Sequence, residues 1–266
     1  MINKNIIIAL CIRDCAEYLD DVISNIENIR SLFNKTKVVF VESDSSDKTL
    51  DLLEKYKVTH DNVDIITHGN LASSMPYRTD RIAYCRNSYL DIAEKNKDDY
   101  EYLFVLDGDS ASTELISNEA ILSNFENENW DMITANQPNG YYDIWALRHE
   151  SWMPFDCWKM YMKEGTKEAF KYYILDRFIK IIPFNSNDGK DYIPVQSAFG
   201  GAGIIKINSI KNARHIGHTE DGIQICEWVP FCESLNSGES KIFINPRFVN
   251  SIEVSDHIKA NMEMYG

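Results

Sequence analysis

Four short apolar runs, separated by stretches of helical periodicity, constrain this chain more than any other feature. Ile6 to Ile12, Val38 to Val41, Val63 to Ile66 and Tyr102 to Leu106 are strand-length and show little polar alternation. Runs of that kind belong to strands covered on both faces. Between them, apolar residues recur at helical spacing: Leu19, Val22, Ile23, Ile26 and Ile29, then Leu50, Leu53 and Tyr56. A third helix is expected over Arg78 to Lys95, with Ile82, Tyr89, Leu90 and Ala93 turned inward. Asp14 and Glu17 have the spacing of a capping box ahead of the first helix. The order β-α-β-α-β-α-β predicts a parallel sheet with right-handed crossovers.

The fourth run leads straight into Asp107-Gly108-Asp109. In open α/β sheets, ligands bind beyond the carboxyl ends of the strands. Two carboxylates placed there suit a hard divalent cation, Mn²⁺ or Mg²⁺, which commonly also holds substrate phosphates. The expectation is a metal-dependent enzyme acting on a phosphorylated or nucleotide-linked substrate. Glu42 closes the second strand ahead of a polar turn, Ser43 to Asp47, that offers helix N-caps. Arg78, Arg81 and Arg86 lie on the third helix, and arginine binds phosphate oxygens in pairs. No G-x-G-x-x-G follows the first strand and no G-x-x-x-x-G-K-[ST] occurs. Dinucleotide-binding and P-loop fingerprints are therefore absent.

The second half is less regular. Strands are expected at Asp131 to Ala135, at the alternating Tyr141 to Arg148, at Ile204 to Ile207 after a Gly200-Gly201-Ala202-Gly203 turn, and at Ile242 to Pro246, ended by its proline. Trp152 to Lys163 reads as loop and Lys167 to Ile182 as helix. With no repeat or linker, one domain over 1–266 is the simpler organisation. The net charge of −14 argues against nucleic acid and against a basic face for anionic lipid. No run reaches the roughly 18 apolar residues of a transmembrane helix. Arg13-Asp14 closes the first apolar run with no small-residue cleavage site after it, so no signal peptide is expected. The six cysteines form no C-x-x-C pair, which fits reduced thiols in a cytoplasmic protein.

The motifs in order resemble a GT-A glycosyltransferase, close to family 2 and to the capsule-associated mannosyltransferase-like group. The matching pieces are Ile8 to Cys11, Val41 to Thr49, Arg81 to Asn87, Asp107 to Asp109, Tyr142 to Arg148, Phe199 to Gly203 and Cys226 to Phe231. The resemblance implies a GT-A-like, Rossmann-like, mostly parallel sheet flanked by helices. It divides the chain into a nucleotide-sugar-binding half, 1–109, and a less regular acceptor half, 110–266. It implies transfer of a hexose from a UDP- or GDP-sugar to a glycan, lipid-linked or protein hydroxyl. Asp107 and Asp109 would hold the metal, with His257 completing it from the C-terminus. Ala9, Arg13, Glu42, Arg81 and Asp107 would meet the nucleotide, and Asp143, Trp145, Arg148 and Gly201 the sugar. Glu227 would be the general base, with Glu220-Asp221 its rival. The runner-up is a nucleotidyltransferase that makes the sugar nucleotide, although its glycine-rich basic loop is missing after the first strand. A binding module without turnover is the reading from another class.

Overall fold

The computed structural model describes residues 2–138, 141–151, 153–157, 159 and 192–252. The elements run β1 (Ile2–Ile12), α1 (Leu19–Leu32), β2 (Phe33–Glu42), α2 (Thr49–Thr59), β3 (Val63–Thr67), α3 (Arg78–Lys95) and β4 (Tyr102–Leu106). They continue with α4 (Asn118–Leu122), β5 (Met132–Asn136), β6 (Ile193–Val195), β7 (Ala202–Lys206), α5 (Ile207–Ile210), α6 (Trp228–Ser234) and β8 (Ile242–Val249). The eight strands of the described residues form one sheet in the order β3-β2-β1-β4-β7-β5-β8-β6. The first four pair in parallel. β7 then runs antiparallel between β4 and β5, while β5 pairs in parallel with β8.

Alternate residues of each central strand enter two cores, as the period of two requires. Ile6, Ile8, Leu10 and Phe104 pack with Val22, Ile26 and Ile29 of α1 and Leu53 of α2. Ile7, Ala9, Leu103 and Val105 pack on the other face with Tyr89 and Leu90 of α3 and Trp228 and Phe231 of α6. Both faces are dry, which is why these strands read as unbroken apolar runs.

Several expectations need correction. Asp14 does not cap α1: the N-cap is Tyr18, with no side-chain cap bond. The Asp14 carboxylate instead accepts the Ser46 N–H at 2.7 Å, tying the loop after β1 to the loop after β2. Tyr141 to Arg148 is not a strand; the segment makes turns and a single bridge from Arg148 to Ser197. Its polar atoms are spent on the chain that leads into β7: the Tyr141 hydroxyl accepts the Phe199 N–H at 3.1 Å and Asp143 accepts the Gly200 N–H at 3.1 Å. Pro246 does not end its strand. β8 runs on to Val249 because the ladder to β5 is interrupted between Thr134 and Asn136, so the proline falls where a strand N–H is dispensable. The helix expected over Lys167 to Ile182 lies outside the described residues, as does half of the Trp152 to Lys163 loop.

Candidate functional site

Parallel register brings three strand ends to one edge of the sheet. Ile12 pairs with Glu42, and Ala9 with Val105, so the residues after β1, β2 and β4 emerge side by side. Gly108 is required by this convergence: a Cβ there would lie 2.8 Å from Ile12 Cγ1. The antiparallel β7 supplies the fourth wall. Its register places Gly201 beside Asp107, whose N–H donates to the Gly201 carbonyl at 2.8 Å. Gly201 has φ +82°, and a Cβ would meet the Tyr142 hydroxyl at 2.6 Å. The result is a cleft of about 410 Å³. Its floor carries Asp107 and Asp109, with Arg86, Asp143 and Glu227 around them and Arg13, Asp44 and Arg81 toward β1 and β2.

Asp107 is the electrostatic centre. Tyr142 donates its hydroxyl to Oδ2 at 3.2 Å and Arg86 donates Nη2 to Oδ1 at 3.4 Å. Burial, then the charge of Asp109, still push its carboxyl up to about 7. Asp143 is pushed up to about 6, chiefly by burial. Carboxylates in this state are short of positive charge, which a divalent cation supplies. Asp109 Oδ1 accepts the Ala111 N–H at 3.0 Å and so caps the turn that carries the chain out of the cleft. Among the described residues no cluster of three metal-type side chains exists. Asp107 and Asp109 offer oxygen donors of the kind that suits Mg²⁺ and Mn²⁺, ions that commonly take further ligands from substrate phosphates and water.

Arg86, not Arg81, is the cation that packing places beside Asp107. Its side chain is buried, and Nε donates to Glu227 Oε1 at 2.9 Å and Nη1 to the Tyr89 hydroxyl at 3.2 Å. The guanidinium lies 4.9 Å from the Phe199 ring centre and 4.7 Å from that of Trp228. Trp228 also packs against His215, whose neutral form burial strongly favours, the Arg86 charge adding to the effect. Nothing in the spacing of Arg78, Arg81 and Arg86 distinguishes the buried one from the others. Arg81 is occupied elsewhere, donating Nη1 to the carbonyls of Met75 at 2.6 Å and Pro76 at 3.0 Å. Arg78 and Arg13 are exposed on the cleft rim, Arg13 paired with Asp14 at 3.3 Å.

Glu42, the last residue of β2, and Asp44, in the turn after it, take different surroundings. Glu42 is buried and committed: it accepts the Ser45 N–H at 3.0 Å and the Thr67 hydroxyl. Asp44 lines the cleft, in the left-handed conformation with φ +60°. Its Oδ1 accepts the Ala72 N–H at 2.8 Å. Its Oδ2 is buried without a hydrogen-bond partner, and the nearest charge is Arg81 Nε at 3.8 Å. The left-handed backbone thus turns this carboxylate into the cleft beside Arg81.

Other sites fall where the sequence could not place them. Ala9 is fully buried between β2 and β4, and the cleft wall begins two residues later at Cys11. Burial pushes the Cys11 thiol well above its ordinary range, which disfavours a nucleophilic thiolate. Asp143 and Trp145 line the cleft, whereas Arg148 does not. Glu220 and Asp221 sit on the exposed tip of a turn closed by the His218 to Gln224 bridge, outside the cleft lining. His257 lies outside the described residues.

A parallel β3-β2-β1-β4 unit extended through an antiparallel β7, with two acids at the end of β4, defines the GT-A glycosyltransferase fold. The mannosyltransferase PcManGT from Pyrobaculum calidifontis, solved with GDP-Man and Mn²⁺, shares it at a TM-score of 0.53 and 11% identity, covering 93% of this chain and 56% of that one. TarS 1-349 from S. aureus, solved with UDP, gives a TM-score of 0.50 and 12% identity, covering 98% of this chain and 64% of that one. The chain thus spans between half and two thirds of these two solved chains. No protein-family model and no curated protein sequence matches it.

Proposed function

We propose that this chain is a metal-dependent glycosyltransferase that moves a hexose from a nucleoside diphosphate sugar to a hydroxyl acceptor. The observation that carries this reading is the cleft where Asp107 and Asp109 meet at the strand edge of a GT-A fold, facing Asp44 at one end and Glu227 at the other. Support comes from the ligands of the proteins that share the fold, GDP-Man with Mn²⁺ in one and UDP in the other. In this reading residues 1–109 bind the nucleotide of the donor and 110–266 face the acceptor, with Asp143 and Trp145 reaching the donor sugar from that second half.

Asp107 and Asp109 hold the cation, which neutralises charge growing on the departing diphosphate. Asp44, rather than Glu42, recognises the nucleoside, because its Oδ2 alone of the four oxygens lacks a hydrogen-bond partner. An N–H of the base or a ribose hydroxyl satisfies it. Arg13 and Arg81 add positive potential at that end. Asp143 and Trp145 border the sugar. Glu227 takes the acceptor proton; Arg86 occupies its Oε1 and leaves Oε2 without a protein partner among the described residues. Asp221 is the weaker choice because it stands outside the cleft lining.

Calorimetry of UDP and GDP with and without Mn²⁺ tests the reading. One nucleotide binds in a Mn²⁺-dependent manner and Asp109→Ala abolishes it. Asp44→Ala weakens the nucleoside diphosphate by about 1–3 kcal/mol while leaving inorganic pyrophosphate unchanged. Failure of every nucleotide to bind overturns the proposal, and equal weakening of both ligands moves Asp44 away from the nucleoside.

A further inference from the structure

We propose that Asp156 is a positioning residue: it locks the Trp145 indole as a flat platform on which the sugar ring of the donor stacks. The inference rests on the functional reading above and adds a residue that lines no part of the cleft.

Trp145 borders the cleft beside Asp143 and is half-buried. Its indole N–H donates to Asp156 Oδ2 at 3.0 Å. The same oxygen accepts Arg148 Nη2 at 3.2 Å, and the Asp156 side chain is only 9% exposed. Arg148 in turn donates Nη1 to the carbonyls of Trp145 at 3.0 Å and Leu147 at 2.7 Å. Asp156 Oδ1 accepts the Lys159 N–H at 3.0 Å, which fixes the carboxylate itself. Indole, guanidinium and carboxylate therefore form one connected network, and of these three only the indole lines the cleft.

Two consequences follow. Arg148 is spent on three acceptors that hold the turn, so it supports the platform instead of binding sugar. The indole, satisfied at its only polar atom by Asp156, offers the cleft apolar ring alone. That surface suits the C–H face of a pyranose and has no use for a phosphate or a base edge. A rigid aromatic fixed by a second layer of hydrogen bonds binds without a large ordering cost.

Calorimetry with Mn²⁺ compares each nucleoside diphosphate with its hexose nucleotide in four variants: Trp145→Ala, Trp145→Phe, Asp156→Ala and the Trp145→Ala/Asp156→Ala double variant. Trp145→Ala weakens the hexose nucleotide by roughly 3- to 10-fold, as loss of a stacking contact requires, and leaves the bare nucleotide unchanged. Asp156→Ala reproduces that selective loss and adds nothing to Trp145→Ala. Trp145→Phe, which keeps a ring but removes the anchored N–H, behaves like Asp156→Ala and carries the test should the latter fail to fold. Equal weakening of both ligands by Asp156→Ala, or a further loss in the double variant, overturns the proposal. If the wild type binds bare and sugar nucleotides and Trp145→Ala does not discriminate between them, this inference alone falls. If the wild type binds neither, the functional reading falls and takes it along.

Discussion

Asp107 makes a prediction in which stability and function oppose each other. Its carboxyl is pushed up to about 7, first by burial and then by Asp109. A carboxyl raised in the folded state contributes stability that is complete below the unfolded pKa and is lost as pH rises through the folded one. The window therefore runs from about pH 4 to about pH 7. A shift of about three units corresponds to about 4 kcal/mol. The side chain is 24% exposed and faces an open cleft, so water screens part of that cost. About 2 kcal/mol is the expected size. Asp107→Asn removes the titration and keeps an acceptor for the Tyr142 hydroxyl. Urea unfolding at pH 4, 5.5 and 8 in the presence of chelator reads the effect. The wild type loses about 2 kcal/mol more than the variant between the extremes. Adding Mn²⁺ with nucleotide at pH 8 restores stability to the wild type only, because that ligand set needs the ionised carboxylate. Parallel pH profiles for the two proteins would refute the account of Asp107 as a site short of positive charge.

Arg86→Met leaves Glu227 buried and unpaired and costs about 3–5 kcal/mol in urea unfolding, with a smaller loss in a Glu227→Gln background. Gly201→Ala drives a methyl group toward the Tyr142 hydroxyl at 2.6 Å on a backbone with φ +82°; a lowered melting temperature together with weakened Mn²⁺-dependent nucleotide binding is expected. Asn25→Ala removes the bonds from α1 to the carbonyls of Ser112 and Glu114 and to the Ile116 N–H. That loss costs about 1–3 kcal/mol, and amide exchange of the segment after Asp109 rises with it.

The parallel half of the fold was legible because its signal is local. A strand covered on both faces must be apolar throughout, so Ile6 to Ile12 and Tyr102 to Leu106 announce themselves, and an amphipathic helix such as Arg78 to Lys95 repeats at its own period. The same locality made Asp107-Gly108-Asp109 readable as a strand-end pair. Tyr141 to Arg148 misled because alternation also arises where residues of a turn take opposite sides of a loop. Pro246 misled because a bulge, which depends on the partner strand, decides whether a strand tolerates proline.

What only the tertiary structure decided is which groups meet. The insertion of β7 between β4 and β5 joins residues a hundred positions apart and sets Gly201 against Asp107. Arg78, Arg81 and Arg86 look alike in the chain; packing on Phe199 and Trp228 selects Arg86. Glu42 and Asp44 are two residues apart and chemically alike. The Thr67 hydroxyl on the neighbouring strand binds one, and a left-handed backbone turns the other into the cleft. Apolar burial follows from each segment's own composition, and so it can be read from the chain. A hydrogen-bond partner belongs to another segment, and only the folded chain supplies it.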